Sequence, residues 1–115
     1  MVAVIFEVLL GQGKKPAYLD LASQLKQDLT KIDGFISIER FQSLTHPEKL
    51  LSLSYWENEE AVSTWRNLEI HREAQLIGRN EIFLEYQLKV CQLIRDYGMH
   101  DRVQAPIDSQ FLHKK

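Results

Sequence analysis

The chain has 115 residues, 44% of them hydrophobic and 26% charged, and a net charge of −2 with acids and bases interspersed. It is the size of one domain and can bury a core without disulfides or a metal. No basic stripe is available to neutralise phosphates, which argues against nucleic-acid binding and against an anionic membrane surface as partner. Cys91, the only cysteine, is expected to be a small core residue in a reducing compartment.

The N-terminal third predicts a strand followed by a helix. Residues 2–10 are apolar, rich in β-branched side chains and followed by glycines, which is typical of a strand. This run is too short for a membrane span and has no basic leader, so we expect a cytoplasmic protein. Pro16 suits the first turn of a helix, and Asp33-Gly34 suits its end. The apolar stripe of that helix comprises Tyr18, Leu21, Ala22, Leu25, Leu29 and Ile32.

A hairpin and a second helix come next in the chain. Residues 35–44 and 49–56 predict two strands joined by a short turn. Asn58 is a good N-cap, and the two glutamates after it suit the positive end of a helix dipole. The helical pattern continues to about Leu84, with a kink near Asn67 as an open alternative.

A last strand and a tail complete the order of elements. Residues 86–97 predict a fourth strand, which Gly98 ends. The order β-α-β-β-α-β is that of the ferredoxin-like α+β fold, a four-stranded antiparallel sheet with both helices on one face. We therefore expect one domain over residues 1–98 and an extended tail over residues 99–115.

The predicted strands carry apolar residues on both faces of the sheet. In the first strand one face has Val2, Val4, Phe6 and Val8, and the other has Ala3, Ile5 and Leu9. In the fourth strand Leu88, Val90 and Ile94 oppose Cys91 and Leu93. Two helices cover only one face, so the other is expected to pack against a second copy, with Phe41 and Leu50 in the interface. The alternative is a monomer with an exposed apolar sheet.

One run of residues indicates a known family. Residues 54–65, Ser-Tyr-Trp-Glu-Asn-Glu-Glu-Ala-Val-Ser-Thr-Trp, combine an aromatic strand end, an acidic helix start and a helical tryptophan. They resemble the antibiotic biosynthesis monooxygenase family, and the resemblance extends over residues 2–98. It is also carried by residues 71–75 and 78–79 and by Phe83, Tyr86 and Val90.

This resemblance implies a dimeric α/β barrel and a cofactor-independent oxygenation of an electron-rich phenol or quinol, without metal or flavin. The protein deprotonates such a substrate and holds the anion against O₂. The residues that fit these roles are His71 or Glu7 as base, Trp65 as a pocket wall, and Arg79 or Tyr86 as donors to the anion. A rival interpretation is a non-catalytic small-molecule-binding or stress-response module on the same scaffold.

The candidates on the second helix each have a structural alternative. Trp65 either walls a pocket for a flat aromatic molecule or packs in the core. A histidine side chain is suited to acid–base chemistry near neutral pH, so His71 is a candidate base, but it equally suits a solvent-exposed surface. The two residues line one cleft only if the helix is kinked, because six positions place them about 120° apart on a straight helix. Arg79 either holds an anionic oxygen or pairs with a nearby glutamate.

The two strand candidates are equally open. Tyr86 is either a phenolic donor in a cleft or a half-buried strand aromatic. Glu7 lies inside an apolar strand and needs a partner or water. It either forms an ion pair with Arg40 or Lys89, or it lines a cleft with a raised pKa suited to acid–base chemistry.

The haem-degrading branch of the family is a minor alternative. That branch uses an asparagine on the first strand, a tryptophan on the second helix and a histidine ten residues later. Trp65 fits the tryptophan, but the first strand has no asparagine, and Gln75 stands where the histidine is expected. His71 lies one helical turn earlier on the same face. Haem is therefore kept only as an alternative to a protein with no cofactor.

Overall fold

The computed structural model describes residues 1–68 and 82–108. The elements are β1 (Val2–Leu10), α1 (Lys15–Leu29), β2 (Phe35–Gln42), β3 (Lys49–Trp56), α2, whose described part spans 59–68, and β4 (Phe83–Gln92). This order confirms the predicted β-α-β-β-α-β arrangement and the ferredoxin-like α+β class.

The sheet has four antiparallel strands in the order β2-β3-β1-β4. The central strand β1 pairs with both β3 and β4, so that Phe6 lies opposite Ser52 on one side and Leu88 on the other. On the other side of β3, Arg40 of β2 lies opposite Ser52. Cross-strand neighbours share one face of a sheet, so Arg40, Ser52 and Phe6 form a row on the same face.

Helix α1 buries the predicted apolar stripe, with Tyr18, Leu21, Ala22, Leu25 and Leu29 all buried. It ends at Leu29, four residues before the predicted stop at Asp33. The reason is local, because the N–H groups of Lys31 and Ile32 each donate to the carbonyl three residues back. Such bonds tighten and close the last turn of a helix.

The turn after α1 depends on Gly34. Its φ is +93°, in the left-handed region that glycine adopts at little cost. Its carbonyl accepts a hydrogen bond from the Glu57 N–H at 2.8 Å. A Cβ at position 34 would lie 2.9 Å from the Cβ of Ala61. The missing side chain thus allows this turn to pack directly against the start of α2.

Helix α2 begins as predicted. The Asn58 side-chain oxygen accepts the Ala61 N–H at 2.9 Å, which is the bond expected of an N-cap residue. The helix is uninterrupted up to Leu68, so the kink considered near Asn67 is not present in the described part of α2, which ends there. The prediction that the helix continues to Leu84 is wrong, because Phe83 and Leu84 belong to β4.

The fourth strand begins and ends earlier than predicted. Phe83 pairs with Leu10, and the register shifts between Leu9 and Leu10. Because of this shift, the alternation of side chains does not show that β4 already begins at Phe83. The last pair joins Gln92 to Val2, and Leu93 then donates its N–H to the Met1 carbonyl. The pairing of β4 with β1 therefore ends at Gln92, five residues before the predicted end at Tyr97.

The core lies between the helices and one face of the sheet. One cluster contains Val2, Val4, Leu29, Trp56, Ala61, Val62 and Trp65. The other contains Phe6, Val8, Leu10, Tyr18, Leu50 and Ile82. Leu50 is thus a core residue that faces the helices, which corrects its expected place in an interface on the opposite face.

We call the opposite face of the sheet the outer face. Its centre is apolar and half-buried in the single chain, and is formed by Ile5, Leu9, Leu51, Leu53 and Tyr55. The outer side of β4 is polar, with Glu85, Gln87, Lys89 and Cys91. Cys91 is exposed, so the prediction of a core cysteine is wrong. The reason is that Cys91 lies on the edge strand β4, on the face that the helices do not cover.

Residues 93–108 fold back on themselves beyond the sheet. The Asp96 N–H donates to the Gln104 side-chain oxygen at 2.7 Å, and Arg102 Nη1 donates to the Gly98 carbonyl at 2.9 Å. The Arg102 guanidinium lies 5.5 Å from the centre of the Tyr97 ring, within the range of a cation–π contact. In the described parts of the chain, no helix is long and apolar enough to cross a membrane.

Candidate functional site

The row of Arg40, Ser52 and Phe6 marks a gap in the core. Ser52 is 3% exposed and lies between the two larger side chains on the face that the helices cover. A serine is smaller than the aliphatic residues that usually fill a core, so packing against the helices is incomplete here. A cavity results between the sheet, α1 and α2.

This cavity is small and largely apolar. Its volume is about 20 Å³, room for roughly one water-sized group, since each needs about 10–15 Å³. The lining consists of Phe6, Tyr18, Leu21, Ala22, Leu25, Leu29, Arg40, Ser52, Trp65 and Phe83. It therefore draws on β1, α1, β2, β3, α2 and β4, and all six elements position it.

Aromatic rings form one wall of the cavity. Phe83 packs edge-on against Phe6, with 6.1 Å between the ring centres, and against Tyr18 at 5.8 Å. Edge-to-face pairs of this kind are stable packing arrangements that fix the ring positions. This wall can hold an apolar or flat ligand without rearranging hydrogen bonds.

Trp65 lies at the opposite side, on α2. It is 3% exposed, and its ring centre is 5.4 Å from that of Trp56. Trp56 Nε1 donates to Ser54 Oγ at 2.9 Å. Trp65 Nε1 is also buried, but it has no acceptor among the described residues. Trp65 thus packs in the core and also lines the cavity, and its role as a wall for a flat aromatic ligand stays a prediction.

Arg40 is the site residue that the sequence analysis missed. Its Nε is buried and has no acceptor within the described parts of the chain. In the sequence analysis, Arg40 is proposed only as an ion-pair partner of Glu7. In the structure Glu7 pairs with Lys89 instead. The available signal was alternation, since Ile38 and Arg40 share a face of β2 and Ile38 packs on the core.

Glu7 lies on the outer face, across the sheet from the cavity. Its side chain is 30% exposed, and Lys89 Nζ is 3.4 Å from its Oε1, one of the two predicted ion pairs. A partly exposed pair at this distance is a weak interaction. Glu7 and Trp65 are therefore not brought together within one chain.

Of the three remaining candidate site residues, only Tyr86 lies in the described part of the chain. Tyr86 is 54% exposed, with its ring centre 5.7 Å from that of Phe6 and 6.1 Å from that of Phe83. It extends the aromatic wall but does not line the cavity. His71 and Arg79 lie outside the described residues.

Solved structures share this fold at low sequence identity. Protein Rv0793 from Mycobacterium tuberculosis superposes with a TM-score of 0.72 at 17% identity, over 84% of this chain and 98% of that one. A Shewanella oneidensis protein, SO0527, gives a TM-score of 0.69 at 16% identity, over 78% of this chain and 87% of that one. These similarities establish the fold class and nothing finer.

The family follows from the sequence comparisons. Residues 1–76 match the family described as antibiotic biosynthesis monooxygenase, and the chain belongs to that family. A protein of Pyricularia oryzae named jasmonate monooxygenase ABM is 40% identical over 93 residues, which cover 81% of this chain. The match covers only 43% of that relative's length.

Proposed function

We propose that this chain is a monooxygenase that binds a small, largely apolar organic molecule in the cavity between the sheet and the helices. The observation that carries the proposal is the cavity itself, with aromatic rings on one side and, in its lining, two buried N–H donors that have no acceptor among the described residues. Apolar pockets with a few polar groups are the usual form of a small-molecule site. Membership of the monooxygenase family and the similarity to a named jasmonate monooxygenase support the reaction type.

Two substrate classes are consistent with this proposal. The first is an electron-rich phenol or quinol, whose anion reacts with O₂ without metal or flavin. The second is suggested by the relative's name, since jasmonate is a carboxylate carried by an apolar ring and chain. In both classes the step is the conversion of a CH₂ group beside a carbonyl, which a phenol or quinol has in its keto tautomer, into a second carbonyl. One oxygen atom of O₂ is retained and the other leaves as water with the two hydrogens of that CH₂ group, so the substrate supplies all the electrons.

The cavity must widen to hold either molecule, because its present volume of about 20 Å³ accommodates a single small group. Trp65 is proposed as the wall and Tyr86 as a donor at the aromatic side. His71 and Arg79 keep their proposed roles as base and as anion donor. Glu7 lies across the sheet, so it is not assigned to the chemistry of this cavity.

Oxygen labelling tests the reaction. The purified chain is supplied with jasmonate or a naphthalene-diol quinol under ¹⁸O₂, and products are analysed by mass spectrometry. We expect one labelled oxygen atom per product molecule, none without protein, and a reduced rate in Trp65→Phe and His71→Ala. Binding of either compound without any oxygen-dependent product would instead support the non-catalytic binding module.

A further inference from the structure

Two buried donors of the cavity lack acceptors. Arg40 Nε and Trp65 Nε1 are both inaccessible to solvent, and neither has a hydrogen-bond partner among the described residues. A buried N–H without an acceptor loses the hydrogen bond that water would give it, so folded proteins rarely leave one unpaired. Two such donors in the lining of one cavity make it a place where a bound ligand can supply the acceptors.

The neighbouring tryptophan shows the contrast. Trp56 packs against Trp65, yet its indole N–H is paired with Ser54 Oγ at 2.9 Å. The described part of the chain therefore provides an acceptor for the Trp56 indole but none for that of Trp65. Trp65, and not Trp56, lines the cavity.

The charge of the lining defines the kind of acceptor. Among the described residues that line the cavity, Arg40 alone is charged, and none is a carboxylate. Arg40 is half-buried, and its guanidinium brings a positively charged group to this largely apolar lining. An anionic oxygen is the acceptor that compensates both the charge and the missing hydrogen bond.

We propose that Arg40 and Trp65 together bind an anionic oxygen of the substrate and thereby select acidic, otherwise apolar molecules. The inference rests on the proposed function, because it assigns a part of the same cavity. Ser52 makes the site possible, since its small side chain leaves the space beside Arg40. The volume of about 20 Å³ suits one carboxylate or phenolate oxygen group. Once the cavity has widened, the apolar remainder of the ligand would lie against Phe6 and Phe83.

A matched pair of ligands tests the selection. Jasmonate and methyl jasmonate differ only in one group, because the negatively charged carboxylate of jasmonate is an uncharged methyl ester in methyl jasmonate. We expect the wild type to bind jasmonate about tenfold to a hundredfold more tightly than the ester, the range typical of a charge-assisted hydrogen bond. Arg40→Met should abolish this preference while retaining the affinity for the ester, and Arg40→Lys should restore part of it. Binding is followed by calorimetry.

Further variants separate binding from folding. Trp65→Phe should weaken jasmonate binding by several-fold, whereas Arg66→Met, an exposed arginine on α2, should change nothing. In the absence of ligand, Arg40→Met should unfold at the same denaturant concentration as the wild type or a higher one, because an unpaired buried donor is removed. Trp56→Phe should destabilise the protein more than Trp65→Phe, because only Trp56 loses a hydrogen bond.

The outcomes distinguish this inference from the proposed reaction. Equal affinity for the two ligands, no binding of either, or an unchanged preference in Arg40→Met would overturn the anionic-oxygen site. The same holds for a clear loss of unliganded stability in Arg40→Met, which would indicate a structural role. Labelled product from the wild type with undiminished rate in Arg40→Met would support the reaction and reject the site. Selective binding without product would support the site and reject the reaction.

Discussion

At Gly34, backbone conformation and packing both disfavour any residue larger than glycine. Its φ of +93° is unfavourable for any residue with a Cβ, and that atom would lie 2.9 Å from the Ala61 Cβ. We predict that Gly34→Ala lowers the free energy of unfolding by about 1–2 kcal/mol from the backbone alone. Overpacking adds about 1–3 kcal/mol more. Chemical denaturation measures the sum.

Gly13 provides the matched control for this prediction. Its φ is +74°, but nothing lies within 4 Å of the position that a Cβ would occupy. Gly13→Ala should therefore show only the backbone cost, about 1–2 kcal/mol. Equal losses in the two variants would mean that the contact between the turn and α2 is not as tight as described.

Single residues of the cavity were only partly predictable from the sequence. Trp65 stood out because a large aromatic on a helical stripe must be buried. Arg40 and Ser52 did not, because an arginine or a serine in a strand is most often solvated. Only the register, which places both beside Phe6 under the helices, shows that Ser52 is buried and that the half-buried Arg40 brings its Nε into the core. Register depends on pairing between distant segments, which the local pattern does not contain.

At the scale of elements, α2 depends on its N-cap. Asn58→Ala removes the acceptor of the Ala61 N–H, and we predict a loss of about 1 kcal/mol in the free energy of unfolding. Asn67→Ala, an exposed position on the same helix, should be neutral or slightly stabilising because alanine favours helices. Urea titration of both variants checks the difference. A loss of similar size in Asn67→Ala would show that the cap is not the cause.

Element types followed the sequence well, and boundaries less well. The end of β1 and the starts of β2, β3 and α2 are marked by glycines, a turn and a capping residue, which are local signals. The end of β4 at Gln92 is set by the start of β1 at Val2, a partner ninety positions away in the chain. The side-chain pattern of residues 93–97 does not show that pairing with β1 ends at Gln92. The prediction therefore extended the strand to Tyr97.

At the scale of the whole molecule, the outer face remains to be covered. Its half-buried centre, with Ile5, Leu53 and Tyr55, and the 43% exposed Phe41 beside Leu51 form an apolar surface. Soluble proteins rarely expose large surfaces of this kind. We propose, as the sequence predicts, that a second copy of the chain packs on this face with two-fold symmetry.

Phe41→Asp tests that assembly. An aspartate here would be buried without a partner in a dimer, so we expect the variant to elute as a monomer or to aggregate in size exclusion with light scattering. Gln27→Asp adds the same charge at an exposed position of α1 and should leave the oligomeric state unchanged. Leu50→Lys is unsuitable for this purpose, because Leu50 is buried in the core at 5% exposure. A clean Phe41→Asp dimer would place the interface elsewhere.

The most direct test of the cavity as the substrate site is the indole N–H signal of Trp65 in a ¹⁵N–¹H NMR spectrum. The chain has only two tryptophans, and Trp65→Phe assigns their two indole signals. Titration with jasmonate, or with the quinol, should shift the Trp65 signal downfield as its N–H gains an acceptor. The Trp56 signal should move less, because its N–H is already bonded to Ser54. A Trp65 signal that stays in place while either compound is bound would contradict the account.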